Sequence, residues 1–247
     1  MNKLSWITGF LVCLTVLLTA AGAVCGAVDQ IATNEQFYSD MSRAAVAEYL
    51  GVTDDPDVSA KVTAYIGLDD AQQTAFAKEM TAFMSSETDV QPQILNEDEQ
   101  QHMLDVRSLT QKATKASQIF FTLAAVLTVA TAWMGAKLKR KVLPSFIGAF
   151  SAVTMIAVMA AVISGMAQGG GFARLFVGMH ELLFTNNLWL MDPQTDILIR
   201  MMPQPLFEQA LTTCVSLALR MFAVVWVMLL ALHFIVTGMI CRHVIKD

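Results

Sequence analysis

Two of the four histidines in this 247-residue chain lie in segments that suit acid–base chemistry. His102 heads an apolar stripe in NEDEQQHMLDVRSL, and His180 lies at the edge of the amphipathic segment ARLFVGMHELLF. An imidazole with an ordinary pKa of about 6.5 can take up or release a proton near neutral pH. If the two rings converge, one can act as a base and the other as a hydrogen-bond donor or acid, and no serine nucleophile is needed.

Each of these histidines also has a structural or a metal-binding interpretation. A histidine on an apolar stripe is most often a packed or interfacial side chain. Two imidazoles with Asp105 could instead ligate a metal, but no pair of ligands at short spacing supports this interpretation. HELLF at 180–184 lacks the second histidine of the HExxH zinc-protease motif, and the sequence contains no GxSxG elbow, phosphate loop or nucleotide fingerprint. We therefore predict neither a metal nor a cofactor.

The composition is that of a membrane protein. Hydrophobic residues make up 55% of the chain and charged residues 15%, and the mean hydropathy is +0.52. Four stretches without Asp, Glu, Lys or Arg are each long enough to cross about 30 Å of hydrocarbon as a helix: 4–28, 116–136, 145–167 and 221–240. This pattern excludes a secreted soluble enzyme and a disordered chain. A net charge of −5, with no basic patch outside the short loops, excludes a nucleic-acid binder, and four scattered cysteines exclude a disulfide scaffold.

The distribution of charge predicts the orientation in the membrane. KLKRK at 137–141 places four cations between the second and third spans, and the positive-inside rule makes this loop cytoplasmic. Twenty of the twenty-one acids lie in the segments 29–115 and 168–220, which are then extracellular. Both termini are predicted to be cytoplasmic. His102 and His180 are then outside, whereas His233 lies inside the fourth span as a helix-packing residue.

The sequence thus predicts an all-α polytopic membrane protein with four transmembrane helices and a helical extracellular cap. Its segments in chain order are transmembrane helix 1 (1–28), the cap (29–115), helix 2 (116–136), a cytoplasmic basic hinge (137–144), helix 3 (145–167), an extracellular interfacial segment (168–220), helix 4 (221–240) and a cytoplasmic tail (241–247). Helix 1 has an alternative interpretation as a cleaved signal peptide, although its uncharged run exceeds an ordinary signal core.

Within the outer segments, apolar periodicity predicts amphipathic helices. The cap should contain helices over 34–50 and 56–67 and a third after Asp69, followed by a linker at 85–95. A fourth helix should begin at Asn96, with Glu99 completing a capping box at its N-terminus. If His102 works at the lipid surface, this helix should break or bend within 108–117, because a straight helix would lift the ring about 24 Å above the span.

Two blocks of sequence resemble a known family. EDEQQHMLDVRSL at 97–109 and LFVGMHELLFTNNLWLMDPQTDILIRMMPQPLF at 175–207, within a four-span layout with a large first outer loop, resemble the bacterial lipoprotein intramolecular transacylases known as Lit. The resemblance implies two functional histidines at the boundary between cap and membrane, which match His102 and His180. It also implies transfer of the sn-2 acyl chain of a diacylglyceryl lipoprotein to the amino group of its own N-terminal cysteine, giving the lyso form.

The same blocks contain further candidates for binding the substrate. They are Asp105, Arg107, Trp189, Asp196 and Arg200. Asp105 lies three residues after His102 on the predicted helix and could orient its imidazole, and the arginines could hold headgroup or peptide oxygens. Trp189 is a predicted interface anchor. Surface salt bridges are the alternative interpretation of the charged residues.

Two classes of function follow from the sequence. The first is the membrane acyltransferase, acting on lipoproteins and in contact with membrane lipid. The alternative is a non-enzymatic membrane module whose acidic extracellular cap binds a partner protein, with both histidines as interface residues. A transporter is disfavoured because the spans carry no acidic residue. Replacing His102 and His180 discriminates between the two classes, because only the enzyme needs both rings to make a lyso-form lipoprotein.

Overall fold

The computed structural model describes residues 3–137, 152–153, 156–157 and 171–244, and every regular element in these ranges is a helix. The helices are α1 (Lys3–Ala32), α2 (Glu35–Tyr38), α3 (Asp40–Tyr49), α4 (Val58–Ile66), α5 (Asp70–Met84), α6 (Glu97–Lys137), α7 (Gly171–Leu183), α8 (Ile197–Met201) and α9 (Gln204–Val244). The predicted all-α membrane class is confirmed.

Three of these helices, α1, α6 and α9, are long and apolar enough to cross a membrane. They contain the first, second and fourth predicted spans. Most of the third predicted span and most of the basic hinge lie outside the described residues. Helix α6 runs without interruption from Glu97 to Lys137, so it does not break within 108–117; a bend there stays a prediction. That segment contains no proline or glycine, so nothing in its sequence interrupts the helical hydrogen bonds.

The chain divides into two compact units, of which the first comprises Met1–Ala27, Ala113–Ile163 and Val215–Asp247. In this unit Ser117 Oγ donates a hydrogen bond to the Gly22 carbonyl at 2.8 Å, which small residues allow because the backbones can approach closely. His233 of α9 lies close to the Thr128 backbone of α6, which agrees with its predicted helix-packing role.

Gly22 gives a prediction about packing in this first unit. A Cβ at Gly22 would lie 2.9 Å from the Phe121 ring, whereas a Cβ at Gly238 would meet nothing within 4 Å. Alanine in a helix is favoured over glycine by about 1 kcal/mol, and overpacking costs about 1–3 kcal/mol. Gly22→Ala should therefore lower the apparent melting temperature in detergent by a few degrees, and the matched variant Gly238→Ala should not. Equal melting temperatures would contradict this account of the packing.

The second unit comprises Val28–Lys112 and Ser164–Cys214 and contains its own apolar core. Among its fully buried side chains are Phe76, Phe83, Ile66, Met80, Met201 and Leu206. Helices α3 and α4 end next to glycines of positive φ, Gly51 at 66° and Gly67 at 80°, as the sequence predicts. Helix α5 begins with a capping box formed by Asp69 and Gln72.

The predicted single helix over 34–50 is wrong, because two helices occupy this range. Ser39 separates α2 from α3 with φ −112° and ψ −95°, outside the helical region. Asn34 caps α2 by accepting a hydrogen bond from Gln36 N at 2.9 Å. The Tyr38 hydroxyl donates to the Ala32 carbonyl at 2.8 Å and holds the short helix against the end of α1.

The start of α6 has the predicted cap and one further contact. Asn96 Oδ1 accepts from Glu99 N at 2.9 Å, and Glu99 Oε2 accepts from Asn96 N at 2.8 Å. The other carboxylate oxygen of Glu99 accepts from Leu198 N at 2.6 Å, and Glu99 is only 2% exposed. Asn96 Nδ2 also donates to Asp196 Oδ1 at 2.9 Å. These bonds attach the 196–198 segment to α6 one turn before His102.

Candidate active site

The two candidate histidines lie beside each other in the second unit. His102 is on the second turn of α6 and His180 on the last turn of α7, and each is 7% exposed. The centroids of their rings are 6.2 Å apart and the ring planes are inclined by 26°. Groups at this separation can both reach one substrate atom or a pair of bonded atoms.

Aromatic side chains surround the two imidazoles. The ring centroid of Phe176 lies 4.0 Å from that of His180, and the ring centroid of Trp189 lies 5.0 Å from it. Phe176 precedes His180 in the sequence and Trp189 follows it. Phe184 contacts both rings, at 5.1 Å from His102 and 5.5 Å from His180. Apolar walls of this kind reduce access of water to the rings and disfavour a charged imidazolium.

Burial keeps both imidazoles neutral. His102 precedes the predicted span, and burial together with the smaller effect of the neighbouring His180 lowers its pKa to about 4, with Asp105 partly opposing the shift. Burial also lowers the pKa of His180, against a smaller raising effect of the Phe176 carbonyl. At neutral pH each ring can therefore accept a proton or donate an N–H hydrogen bond.

The hydrogen bonds of His180 fix its tautomer. His180 Nδ1 lies 2.8 Å from the Phe176 carbonyl oxygen. Because a carbonyl oxygen can only accept, Nδ1 carries the hydrogen and Nε2 keeps its lone pair. His102 Nδ1, in contrast, is buried without a hydrogen-bond partner among the residues that the structure describes. A buried polar atom of this kind is available to a bound substrate.

Asp105 lies near His102 but is held by another residue. Its Oδ2 accepts a hydrogen bond from Asn186 Nδ2 at 2.8 Å, and its charge favours the protonated form of His102. The unpartnered His102 Nδ1 shows that Asp105 acts on the imidazole through its charge and not through a bond to that atom. The sequence does not single out Asn186; its only local signal is the NN pair just after α7.

Arg107 is brought into the cap and not to the imidazole pair. It is 8% exposed, its guanidinium lies 4.5 Å from the centre of the Phe83 ring, and Nη1 is 3.0 Å from Asp89 Oδ1. A desolvated arginine over an aromatic face is stabilised by a cation–π interaction. The structure thus gives Arg107 a packing role, and its binding of substrate stays a prediction.

Asp196 and Arg200 stabilise the loop before α8. Asp196 accepts hydrogen bonds from Asn96 and, at 2.7 Å, from Asp192 N. Arg200 Nε donates to the Asp196 carbonyl at 3.3 Å, and its Nη1 lies next to Gly67. Of the five further candidates, the structure therefore places Trp189 against His180 and Asp105 near His102. In the ranges that the structure describes, no three His, Cys, Asp or Glu side chains converge to hold a metal ion.

Comparisons with known proteins agree on one family. The family model for lipoprotein intramolecular transacylase Lit matches residues 10–207. A solved structure of the membrane-integral lipoprotein intramolecular transacylase Lit from Bacillus cereus is similar over 92% of this chain and 95% of that chain, with a TM-score of 0.66 and 15% identity. A second structure of that protein, with a histidine replaced by alanine, covers 92% of this chain and 93% of its own at a TM-score of 0.62 and 16% identity. No curated protein sequence matches.

Proposed function

The chain belongs to the lipoprotein intramolecular transacylase (Lit) family, and we propose that it transfers the sn-2 acyl chain of a diacylglyceryl lipoprotein to the amino group of that lipoprotein's own N-terminal cysteine. The observation that supports this reaction in the second unit is the buried pair of neutral imidazoles, His102 and His180, with ring centroids 6.2 Å apart. The substrate is then a bacterial lipoprotein, held in the membrane by its own acyl chains.

The reaction exchanges an ester for an amide within one molecule. The amine nitrogen attacks the ester carbonyl carbon, and a C–N bond forms. The bond between that carbon and the glyceryl oxygen then breaks, and the proton lost by nitrogen is transferred to the glyceryl oxygen. The product is an isomer of the substrate, so neither water nor a second substrate is consumed. The enzyme must therefore move one proton and stabilise one oxyanion.

We assign the proton transfer to His180, and its tautomer supports this role. Its Nε2 lone pair is free to accept the amine proton, while the Nδ1–H bond to Phe176 stabilises the resulting imidazolium. The same proton can then pass to the departing glyceryl oxygen. His102, whose pKa of about 4 keeps it neutral, donates an N–H hydrogen bond to the oxyanion. A neutral imidazole with a lowered pKa is a known type of electrophile in enzymes.

Proximity supplies much of the remaining rate enhancement. The amine and the ester belong to one lipoprotein, so a pocket that orients them makes the attack unimolecular. Well-oriented intramolecular attack can lower the barrier by several kcal/mol, up to about 7–11 kcal/mol in favourable cases. Phe184 and Trp189 enclose the space over the two rings and exclude water, which would otherwise hydrolyse the ester.

We place the imidazole pair on the extracellular side of the bacterial cell membrane, with both termini cytoplasmic. The charge distribution of the sequence supports this orientation. On the same side, Leu182 is 84% exposed and Leu190 64% exposed, which suits contact with lipid beside the pocket. Arg107 and Arg200 remain proposed contacts for headgroup or peptide oxygens.

Tandem mass spectrometry of lipoprotein N-terminal peptides tests the proposed reaction. Because product and substrate have the same mass, the peptides are fragmented and also treated with mild alkali, which removes esters and leaves amides. Cells that produce this protein should yield a peptide with one alkali-resistant acyl chain, and cells with an empty vector should yield none. Equal peptides from both cells would contradict the proposed function.

The neutral imidazoles give a prediction for the pH dependence. The pKa of His102 is lowered to about 4 and that of His180 is lowered from its ordinary value, so the group that must lose a proton near neutrality is the substrate amine, with a pKa of about 7.7–8.0. In vesicles, kcat/KM should rise with pH about tenfold per unit up to that pKa and then level off. A lipopeptide with a less basic amine should shift the midpoint down by the same amount. A midpoint near 6.5 for both substrates would contradict the prediction.

A further inference from the structure

Asn186 connects the loop that covers the two imidazoles to the helix that carries His102. Its Nδ2 donates to Asp105 Oδ2 at 2.8 Å, and its Oδ1 accepts from Leu188 N at 3.2 Å. Both ends of the side-chain amide therefore form hydrogen bonds. Its nitrogen bonds to α6, and its oxygen bonds within the loop. An amide is the side chain that can donate and accept in this way.

The loop that Asn186 holds carries two aromatic walls of the site. Phe184 and Trp189 lie on either side of Asn186 in the sequence and contact His102 and His180. Asp105 lies one helical turn after His102, so the two side chains share a face of α6. A bond from Asn186 to Asp105 thus fixes the aromatic loop directly beside the histidine that it covers.

From these contacts we propose that Asn186 is a positioning residue for acyl transfer. It holds the 184–190 loop closed over the two imidazoles through its bond to residue 105 on α6. This inference rests on the proposed function, because it describes how the same pair of imidazoles is kept dry and oriented. Asn186 itself does not touch the reacting atoms in this account.

Because Asn186 donates and Asp105 accepts, the role of Asn186 can be tested by exchanging the two side chains. Asn186→Ala removes both hydrogen bonds, and Asn186→Asp places two carboxylates within hydrogen-bonding distance, where they repel each other. Combining Asn186→Asp with Asp105→Asn exchanges donor and acceptor and restores the bond with the same net charge. The neighbouring Asn187 is exposed and contributes its backbone carbonyl to Leu190 N, so Asn187→Ala is a matched control.

Activity is the first readout. In vesicles with a diacylated lipopeptide, Asn186→Ala and Asn186→Asp should each lower kcat by roughly 10- to 100-fold with little change in KM, because a misplaced pocket wall disturbs the oriented complex. The exchanged pair should recover to within about threefold of the unmodified protein, and Asn187→Ala should match it. Single variants with normal kcat, or an exchanged pair no better than Asn186→Asp, would overturn the proposal.

The second readout does not depend on the reaction. Diethyl pyrocarbonate modifies accessible neutral imidazoles, and peptide mass spectrometry gives the rate at His102 and His180 separately. The rate at His102 should rise at least severalfold in Asn186→Ala and return to the original value in the exchanged pair. An unchanged rate in Asn186→Ala would overturn the proposal even if the protein transfers acyl chains. Failure of the unmodified protein to form lyso product would count against the proposed function alone.

Discussion

Replacing either His102 or His180 by alanine is expected to lower the rate of lyso-lipoprotein formation by at least about a thousandfold. General acid–base groups contribute about 10²–10⁴-fold each, and removal of an oxyanion donor costs a similar factor. We propose that the two rings, with centroids 6.2 Å apart, act together on one tetrahedral intermediate, so the double variant should be little worse than either single variant. The measurement is the initial rate of alkali-resistant acylation in vesicles.

His243→Ala is the control for this pair, since that histidine lies in the predicted cytoplasmic tail. It should retain the full rate. Added imidazole should restore part of the activity of His180→Ala, because the missing function is proton transfer in a pocket that the deletion enlarges. Comparable rates in His180→Ala and the unmodified protein would exclude an acid–base role for that ring.

Glu99→Ala is expected to be the most destabilising single substitution near the site. The Glu99 carboxylate is 2% exposed and accepts hydrogen bonds from Leu198 N at 2.6 Å and Asn96 N at 2.8 Å. Its removal leaves two backbone donors without partners, which costs about 3 kcal/mol in total. The apparent melting temperature in detergent should fall by roughly 10 °C for a chain of this size.

Two further variants serve as controls for this stability prediction. Asp98→Ala, at an exposed position on the same turn, should change the melting temperature by no more than about 1–2 °C. Glu99→Gln keeps one acceptor oxygen and should lie between the two. A fall in Glu99→Ala no larger than that in Asp98→Ala would show that the bond to Leu198 does not stabilise the unit.

Local rules predicted the helices of the cap where a single residue type sets the boundary. Gly51 and Gly67 end their helices because their positive φ suits glycine. Asn96 and Glu99, three residues apart, form the capping pattern that predicts the start of α6. The division at Ser39 was missed because the apolar four-residue spacing continues across it, and periodicity does not report one non-helical residue.

The site itself depends on contacts that leave no periodic signal. The Asn186–Asp105 and Glu99–Leu198 bonds join segments far apart in the sequence, and the polar side chains that form them look like ordinary surface residues. The pairing of His102 with His180 followed from the predicted orientation and from the family resemblance, since spacing alone does not bring them together. Burial of Arg107 over Phe83 was likewise not visible in the sequence.

Membership of the transacylase family favours the enzyme over a partner-binding cap. Part of the acidic surface that suggested a partner is paired within the unit. Asp55 pairs with Lys61, Asp70 with Arg43 at 2.8 Å, and Asp89 with Arg107. These pairs explain part of the charge without a second protein.

The acyl chain should move within one lipoprotein molecule. Intramolecular transfer is tested by incubating the purified protein in vesicles with two lipopeptides, one with an isotopically heavy sn-2 acyl chain and the other with a heavy peptide and a light acyl chain. Every amide-linked product should contain the acyl chain that began on the same peptide. Products that combine the heavy acyl chain with the heavy peptide, or the absence of any amide-linked chain, would contradict the account.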